Sequence, residues 1–234
     1  MPDINTLLKE LTLEEKISLL TGFNSWYSNK IPRLKIPSMK MSDGPNGVRG
    51  DSTSGKSSAC FPCPISMGST WNKKLIKKIG TALGEEALDK DVDVLLGPTI
   101  NLHRHPLGGR HFENFSEDPF LTAEIAVAYV KGVQSKRVSA CLKHFVANDT
   151  EFERHTVSSN LDERTLREVY LLPFEMGIKK AKAKSVMSAY NKLNNIYCSS
   201  NEDLLVKVLK KEWGFDGYVV SDCLLYTSPS PRDQ

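Results

Sequence analysis

The chain has 234 residues, of which 40% are hydrophobic and 25% charged, with a formal net charge of +3. These values describe one ordinary globular domain, or a piece of one, with enough chain to bury a sizeable core; they exclude disordered and fibrous classes. The charge is too small for a nucleic-acid partner, and Lys73, Lys74, Lys77 and Lys78 sit opposite the apolar positions of an expected helix, which reads as a solvated face.

Other classes fall away quickly. No run of about 18 apolar residues occurs, so no membrane span is expected. Positions 1–20 carry Asp3, Lys9, Glu10, Glu14, Glu15 and Lys16 without an apolar run, so no secretory signal is read and the default location is cytoplasmic. The five cysteines are odd in number and irregular in spacing, so no disulfide framework is expected. Cys60 and Cys63 form a CxxC pair with no second pair at zinc spacing, and the pair reads as incidental.

The first expected helix covers Ile4 to Leu20, with a restart at Thr12, which stands three residues before Glu15 at capping-box spacing. A strand over Ser38 to Ser42 follows and ends at the loop-forming Asp43-Gly44-Pro45-Asn46-Gly47. The next helix runs from Asn72 to Leu88, with Leu75, Ile79, Leu83 and Ala87 as its buried face. A strand over Val92 to Leu96 leads into a long loop, Gly97 to Asp118. Asp118 then caps a helix whose first position is Pro119 and whose inward residues are Phe120, Ala123, Val127 and Val130. A third strand, Val138 to Leu142, precedes a helix that starts near Asn160 and is kinked or restarted at Pro173. The fourth strand is Ser185 to Tyr190. Its helix, Ser200 to Trp213, buries Leu204, Leu205, Val208 and Leu209 and stops at Gly214. The fifth strand is Gly217 to Asp222.

Strands alternating with helices give parallel βα units, five of them. An open doubly wound sheet and a (β/α)8 barrel of the TIM type, here incomplete, both accommodate such units. No GxGxxG or P-loop follows any strand, which weakens dinucleotide binding. Asp43, Lys143 and His144, Tyr190 and Asp222 stand at the C-terminal ends of four different strands, and the Gly97–Asp118 loop leaves from the same side. In a barrel these ends converge on one mouth, and loops of such length in a compact domain are usually functional.

Taken together, the pocket holds the carboxylates Asp43 and Asp222, the cations Lys143 and Arg110, the imidazole of His144 and the phenol of Tyr190. The sequence does not place Trp26 or Trp71 relative to it. Any one of these has a blander reading, as a helix cap, a turn residue or a solvated charge. As a set they suit a ring of hydroxyls, with Asp43 accepting and Lys143, Arg110 and His144 donating. A strand-tip carboxylate such as Asp222, kept ionised by nearby cations, can act as a glycosidase nucleophile.

Five ordered blocks carry a resemblance. Gly108-Gly109-Arg110-His111-Phe112-Glu113 with Phe115-Ser116-Glu117-Asp118-Pro119 resembles the GGRxFE-x-FSEDP block of family 3 glycoside hydrolases. Ser42 to Gly50 resembles that family's SDGPNGVRG motif, Lys143 to Asn148 its KHF-x-x-N motif, and Met187 to Asn191 its M-x-x-YN strand. Trp213 to Gly217 with Val220-Ser221-Asp222 is similar to the strand that presents the nucleophile. The resemblance spans residues 5 to 222, and the wording of the block around Arg110 points to the β-glucosidase branch. It implies a retaining exo-β-glycosidase acting on terminal β-D-glucosyl residues of oligosaccharides and β-glucosides, with Asp222 as nucleophile. Asp43, Arg110, Lys143, His144 and Tyr190 would line the sugar subsite, with Met187 packed against the sugar. Glu113, Glu117 and Asp118 would order the loop, and Glu151 and Arg154 would brace the Lys143-His144 segment. No metal or organic cofactor is implied.

The sequence departs from the family at one place. Family members carry a tryptophan directly after the nucleophile; here Cys223 follows, and residues 223–234 show neither strand nor helix pattern. We therefore expect residues 1–222 to be a partial family 3 barrel and the remainder an aberrant tail. The retaining mechanism requires a second carboxyl group about 5–5.5 Å from the first. In the family a later domain supplies it, so the chain as written is expected to be inactive and, with open sheet edges, poorly soluble. A β-xylosidase, a Schiff-base lyase using Lys143, and a non-catalytic sugar-binding fragment are the competing readings.

Overall fold

The computed structural model describes residues 3–49 and 56–222. The expected aberrant tail lies outside the described residues. The chain opens with two short helices, α1 (Ile4–Glu10) and α2 (Leu13–Leu19). They divide where the capping box requires: Thr12 Oγ1 accepts from the Glu15 N–H at 3.2 Å, and Glu15 Oε2 accepts from the Thr12 N–H at 3.0 Å. Strand β1 (Met41–Asp43) begins later than expected. Residues 38–40 are drawn instead into pairing with 27–28, through a Tyr27–Lys40 bridge and a bond from the Met39 N–H to Ser28 Oγ at 2.8 Å.

Helix α3 (Pro64–Ser69) is too short to show an apolar period in sequence. Helix α4 (Lys73–Asp89) is capped by Asn72, whose Oδ1 accepts from the Leu75 N–H at 3.1 Å, and its four lysines are exposed as expected. Its buried face is the expected one only at Leu83 and Ala87. Ile76, Gly80, Leu83, Gly84 and Ala87 are buried, while Leu75 is exposed and Ile79 half-buried. The cause is close backbone packing on α5 (Pro119–Gln134): a Cβ on Gly80 would lie 2.5 Å from the Tyr129 carbonyl oxygen, and one on Gly132 would lie 2.4 Å from that of Lys77. The helix turns its small residues, not Leu75, toward its neighbour.

Strand β2 (Val94–Leu96) precedes the long loop, and α5 starts at Pro119 with the Asp118 carboxylate accepting from the Leu121 N–H at 2.6 Å. Ala123, Val127 and Val130 are buried, but Phe120, in the first turn of the helix, is exposed. Strand β3 (Ser139–Phe145) runs three residues past its expected end, taking Lys143 and His144 with it. The next helix, α6 (Glu163–Thr165), is capped by Asp162, not Asn160; Asn160 accepts from the Ser158 hydroxyl instead. A wider turn (Leu166–Tyr170) leads to α7 (Leu172–Ala181), which has Pro173 in its first turn. Strand β5 (Ser185–Ser188), a helix of wide turns (Asp203–Glu212) and β8 (Tyr218–Ser221) complete the repeat, with Gly214 at φ +65° ending the helix. That helix buries Leu204, Val208 and Leu209, and Leu205 is half-buried.

A small sheet was not legible beforehand. It joins β4 (Ser158–Ser159), β6 (Lys192–Leu193) and β7 (Ile196–Tyr197), with β6 and β7 closed by Asn194 and Asn195, both at positive φ.

The main sheet is parallel throughout, in the order β1-β2-β3-β5-β8. Each βα unit adds on the same side of the one before. There is no reversal of direction, the defining feature of a doubly wound sheet. The sheet curls into an incomplete (β/α)8 barrel surrounded by helices.

Alternation sorts the strand residues between two environments. Leu95, Ala140, Leu142 and Val186 join the large core beneath α4, α5 and α7. Val94, Cys141 and Met187 form a second, inner cluster with Met41, Leu96, Tyr218 and Val220. Two residues further along their strands, Met41, Cys141 and Val220 are followed by Asp43, Lys143 and Asp222. The charged groups therefore continue the inner face at its C-terminal rim.

Candidate active site

Three strand ends and one loop supply the site. Asp43 ends β1 and accepts a hydrogen bond from Lys143 Nζ on β3 at 3.1 Å; Arg49 lies 3.8 Å from its other oxygen. Burial opposes ionisation of Asp43, but the Lys143 ammonium and its hydrogen bond outweigh that and hold the carboxyl below its ordinary range. Lys143 is buried but paired with a carboxylate, whereas a Schiff-base lysine requires burial without a counter-ion or beside another cation.

His144 follows Lys143 directly, and strict alternation would send it to the opposite face. The register of β3 against β5 shifts between Leu142 and Phe145. Such an irregularity re-aims side chains, and here it brings both residues to the mouth. His144 is buried, and its Nε2 lies 3.7 Å from Asp222 Oδ2. Burial first, then the charges of Lys143, Arg110 and Arg154, keep the imidazole neutral by pushing its pKa well below the ordinary histidine value. The contact with Asp222 is therefore not an ion pair.

Arg110 comes from the long loop. Gly109 precedes it at φ +80°, a conformation that glycine adopts without steric cost, and Arg110 itself is left-handed at φ 51°. Its Nε donates to Glu113 Oε1, its Nη2 reaches His144 Nε2 at 3.3 Å, and its Nη1 lies 3.7 Å from Glu151. Glu113 is buried and held by the Thr99 hydroxyl at 2.8 Å, which matches its expected role in ordering the loop. Burial pulls the Arg110 pKa down, but Glu113, Glu151 and Asp222 more than reverse this.

Asp222 follows the last residue of β8 and is buried. Asp43, Lys143, His144, Arg110 and Asp222 are thus linked by a chain of direct contacts. Tyr190 joins through the brace: Arg154 pairs with Glu151 at 2.7 Å and stacks over the Tyr190 ring at 4.9 Å, with His155 edge-on at 4.7 Å. Met187 sits below in the inner cluster, in register with Val220, as part of the floor. Trp71 is exposed. Among the described residues no group of His, Cys, Asp or Glu is arranged to hold a metal ion.

Sequence reasoning missed Asn101. It is buried between the loop and His144. Position in the long loop was its one available signal. Asp149 was also missed. Burial raises its carboxyl to about 6 despite a bond from the Leu102 N–H. A raised folded-state pKa means that stability is present below the ordinary carboxylate pKa and is lost as pH rises through about 6. Asp149→Asn should therefore stabilise the fold above pH 6, by up to about 3 kcal/mol. The gain should vanish below about pH 4, where Asp149 is protonated in both states. Urea unfolding at two pH values measures it.

The profile of the glycosyl hydrolase family 3 N-terminal domain matches residues 10–228, and the chain belongs to this family. It is 56% identical over 221 residues to a β-glucosidase of Rhizobium radiobacter, covering 94% of this chain and 27% of that protein. It is 49% identical to thermostable β-glucosidase B of Acetivibrio thermocellus, covering 94% of this chain and 30% of that protein. Among solved structures, β-glucosidase 3B of Thermotoga neapolitana in complex with glucose superposes with a TM-score of 0.89 at 47% identity, over 93% of this chain and 33% of that one. The β-glucosidase of Kluyveromyces marxianus in complex with glucose gives 0.92 at 45%, over 94% and 27%. The chain thus spans about a quarter to a third of the length of these relatives.

Proposed function

We propose that residues 1–222 form the nucleophile-bearing part of a retaining exo-β-glucosidase that releases terminal β-D-glucosyl residues. The observation that carries this reading is a buried carboxylate, Asp222, at the tip of an inner-facing strand and beside a connected set of hydroxyl-gripping groups. Asp222 would attack the anomeric carbon and form a glycosyl ester; Asp43, Lys143, Arg110 and His144 would hold the sugar, with Tyr190 behind and Met187 beneath it. Asp43 is bound up with Lys143 across the mouth, which suits a sugar-gripping group and not a proton donor. As the family resemblance implies, the acid/base carboxyl would come from sequence that the longer relatives carry outside the matched region. On this reading residues 1–222 alone are inactive and turn over substrate only together with the acid/base carboxyl. Glucoside over xyloside is favoured because the matched Thermotoga neapolitana and Kluyveromyces marxianus structures hold glucose.

No helix among the described residues is long and apolar enough to cross a membrane. A cytoplasmic setting is part of the proposal, supported by the free thiols of Cys60, Cys63, Cys141 and Cys198.

A chimera tests the reading. Residues 10–222 replace the matching segment of the Rhizobium radiobacter β-glucosidase, and aryl β-glucoside and aryl β-xyloside are assayed side by side. Glucosidase turnover supports the proposal. A folded chimera without glycosidase activity overturns it, and a preference for the xyloside reassigns the substrate.

A further inference from the structure

We infer that Asn101 fixes the tautomer of His144, so that His144 Nε2 presents a lone pair, not a proton, to the mouth of the site. The Asn101 amide is oriented by the His144 backbone from both sides. Its Nδ2 donates to the His144 carbonyl at 2.9 Å, and the His144 N–H donates to its Oδ1 at 2.9 Å. Flipping the amide would set donor against donor and acceptor against acceptor, so the position of Oδ1 is determined. That same oxygen lies 3.2 Å from His144 Nδ1. An acceptor opposite Nδ1 calls for the ring proton there, and the other nitrogen of a neutral imidazole then carries the lone pair.

The far side of the ring agrees. Arg110 Nη2, which can only donate, lies 3.3 Å from His144 Nε2. The charged groups around the ring are the cations Lys143, Arg110 and Arg154 and the carboxylate Asp222. A proton on Nε2 would point at Arg110, and the three cations resist the added charge, in keeping with the depressed pKa of this histidine.

Two consequences follow for the proposed reaction, on which this part of the inference rests. Nε2 and Asp222 Oδ2, 3.7 Å apart, meet as two acceptors, so His144 does not hydrogen-bond the nucleophile and dampen it. A sugar hydroxyl reaching this point donates to His144, while Lys143 and Arg110 supply the donors; this reverses the donor role expected of His144 from sequence. Asn101 acts through His144 and is a positioning residue.

The direct test needs no turnover, and its failure is therefore separable from failure of the β-glucosidase reading. Full-length protein labelled with ¹⁵N-histidine, with His144 assigned by its loss in His144→Gln, should show the neutral Nδ1–H tautomer from about pH 5 to 8. An Nε2–H tautomer or an imidazolium at neutral pH overturns the inference. A kinetic test uses Asn101→Asp. A carboxylate opposite Nδ1 favours the imidazolium and places a proton on Nε2, facing Asp222. The expected result is a kcat lowered about 10- to 100-fold at acidic pH, a usual range for a group that orients another, and recovering as pH rises. Asn101→Ala, which adds no charge, should lack this new acidic limb. A pH profile of Asn101→Asp parallel to that of the unmodified protein overturns the inference, and the unmodified protein's spectrum decides it even where this variant does not fold.

Discussion

In the full-length protein, Asp222→Gly is expected to lower turnover of an aryl β-glucoside by about 10⁴- to 10⁶-fold, the range seen when a covalent nucleophile is removed. The size of the loss follows from the role. Without the carboxylate no glycosyl ester forms, and the remaining groups hold a sugar that has nothing to attack it. Binding of glucose should change far less, because Asp43, Lys143 and Arg110 keep their own partners: the Asp43–Lys143 pair and the Arg110–Glu113 pair do not involve Asp222. The void left by the side chain admits a small anion. Azide or formate should therefore restore turnover, and azide should yield the α-glucosyl azide, since it enters from the face that Asp222 occupied. An Asp222 that merely oriented His144 and Arg110 would leave activity within about 100-fold of the unmodified protein and show no response to azide. Product stereochemistry and the rescue are both read by NMR of the reaction mixture.

Much of the βα alternation was legible because polar residues and turn formers follow most strands, and several helices open with a side-chain cap. Asp118 before Pro119 and Thr12 before Glu15 are local signals with local causes, and both caps form. What could not be read depends on contacts between distant segments. Leu75 is the better apolar residue at its position, yet Gly80 faces α5, because two backbones approach too closely for any side chain there. The start of β1 moves because residues 27–28 compete for residues 38–40. Lys143 and His144 share one mouth where β3 slips against β5, an irregularity that alternation in a single strand does not disclose. The set of charged residues was visible as strand tips. Its wiring was not: Asn101 against the His144 imidazole, and Glu151 within reach of Arg110, are brought together by the fold across long stretches of sequence.

The Asp43–Lys143 pair allows the electrostatics of the site to be tested apart from its chemistry. The two partners are unequally buried: the Lys143 side chain is 6% exposed and that of Asp43 32%. Asp43→Ala should therefore be the more damaging change, because it strands an ammonium with little access to water beside the neutral His144. A loss of about 3–5 kcal/mol is expected for breaking such a pair from that side. Lys143→Met leaves a carboxylate that water reaches and that Arg49 faces at 3.8 Å, so its cost should be smaller, about 1–2 kcal/mol. The double variant removes both charges and should cost less than the sum, with a coupling of about 1–3 kcal/mol measured by urea unfolding of all four proteins. The pH dependence has a definite sign. The folded-state pKa of Asp43 lies below its ordinary value, so the contribution of the pair is complete above the ordinary carboxylate pKa and is lost only as pH falls through the lower folded value. The gap between the unmodified protein and Asp43→Ala should thus be flat from about pH 8 to 5 and close below about pH 4. A gap that closes near neutrality instead would mean that a different group, not Asp43, is what Lys143 answers to.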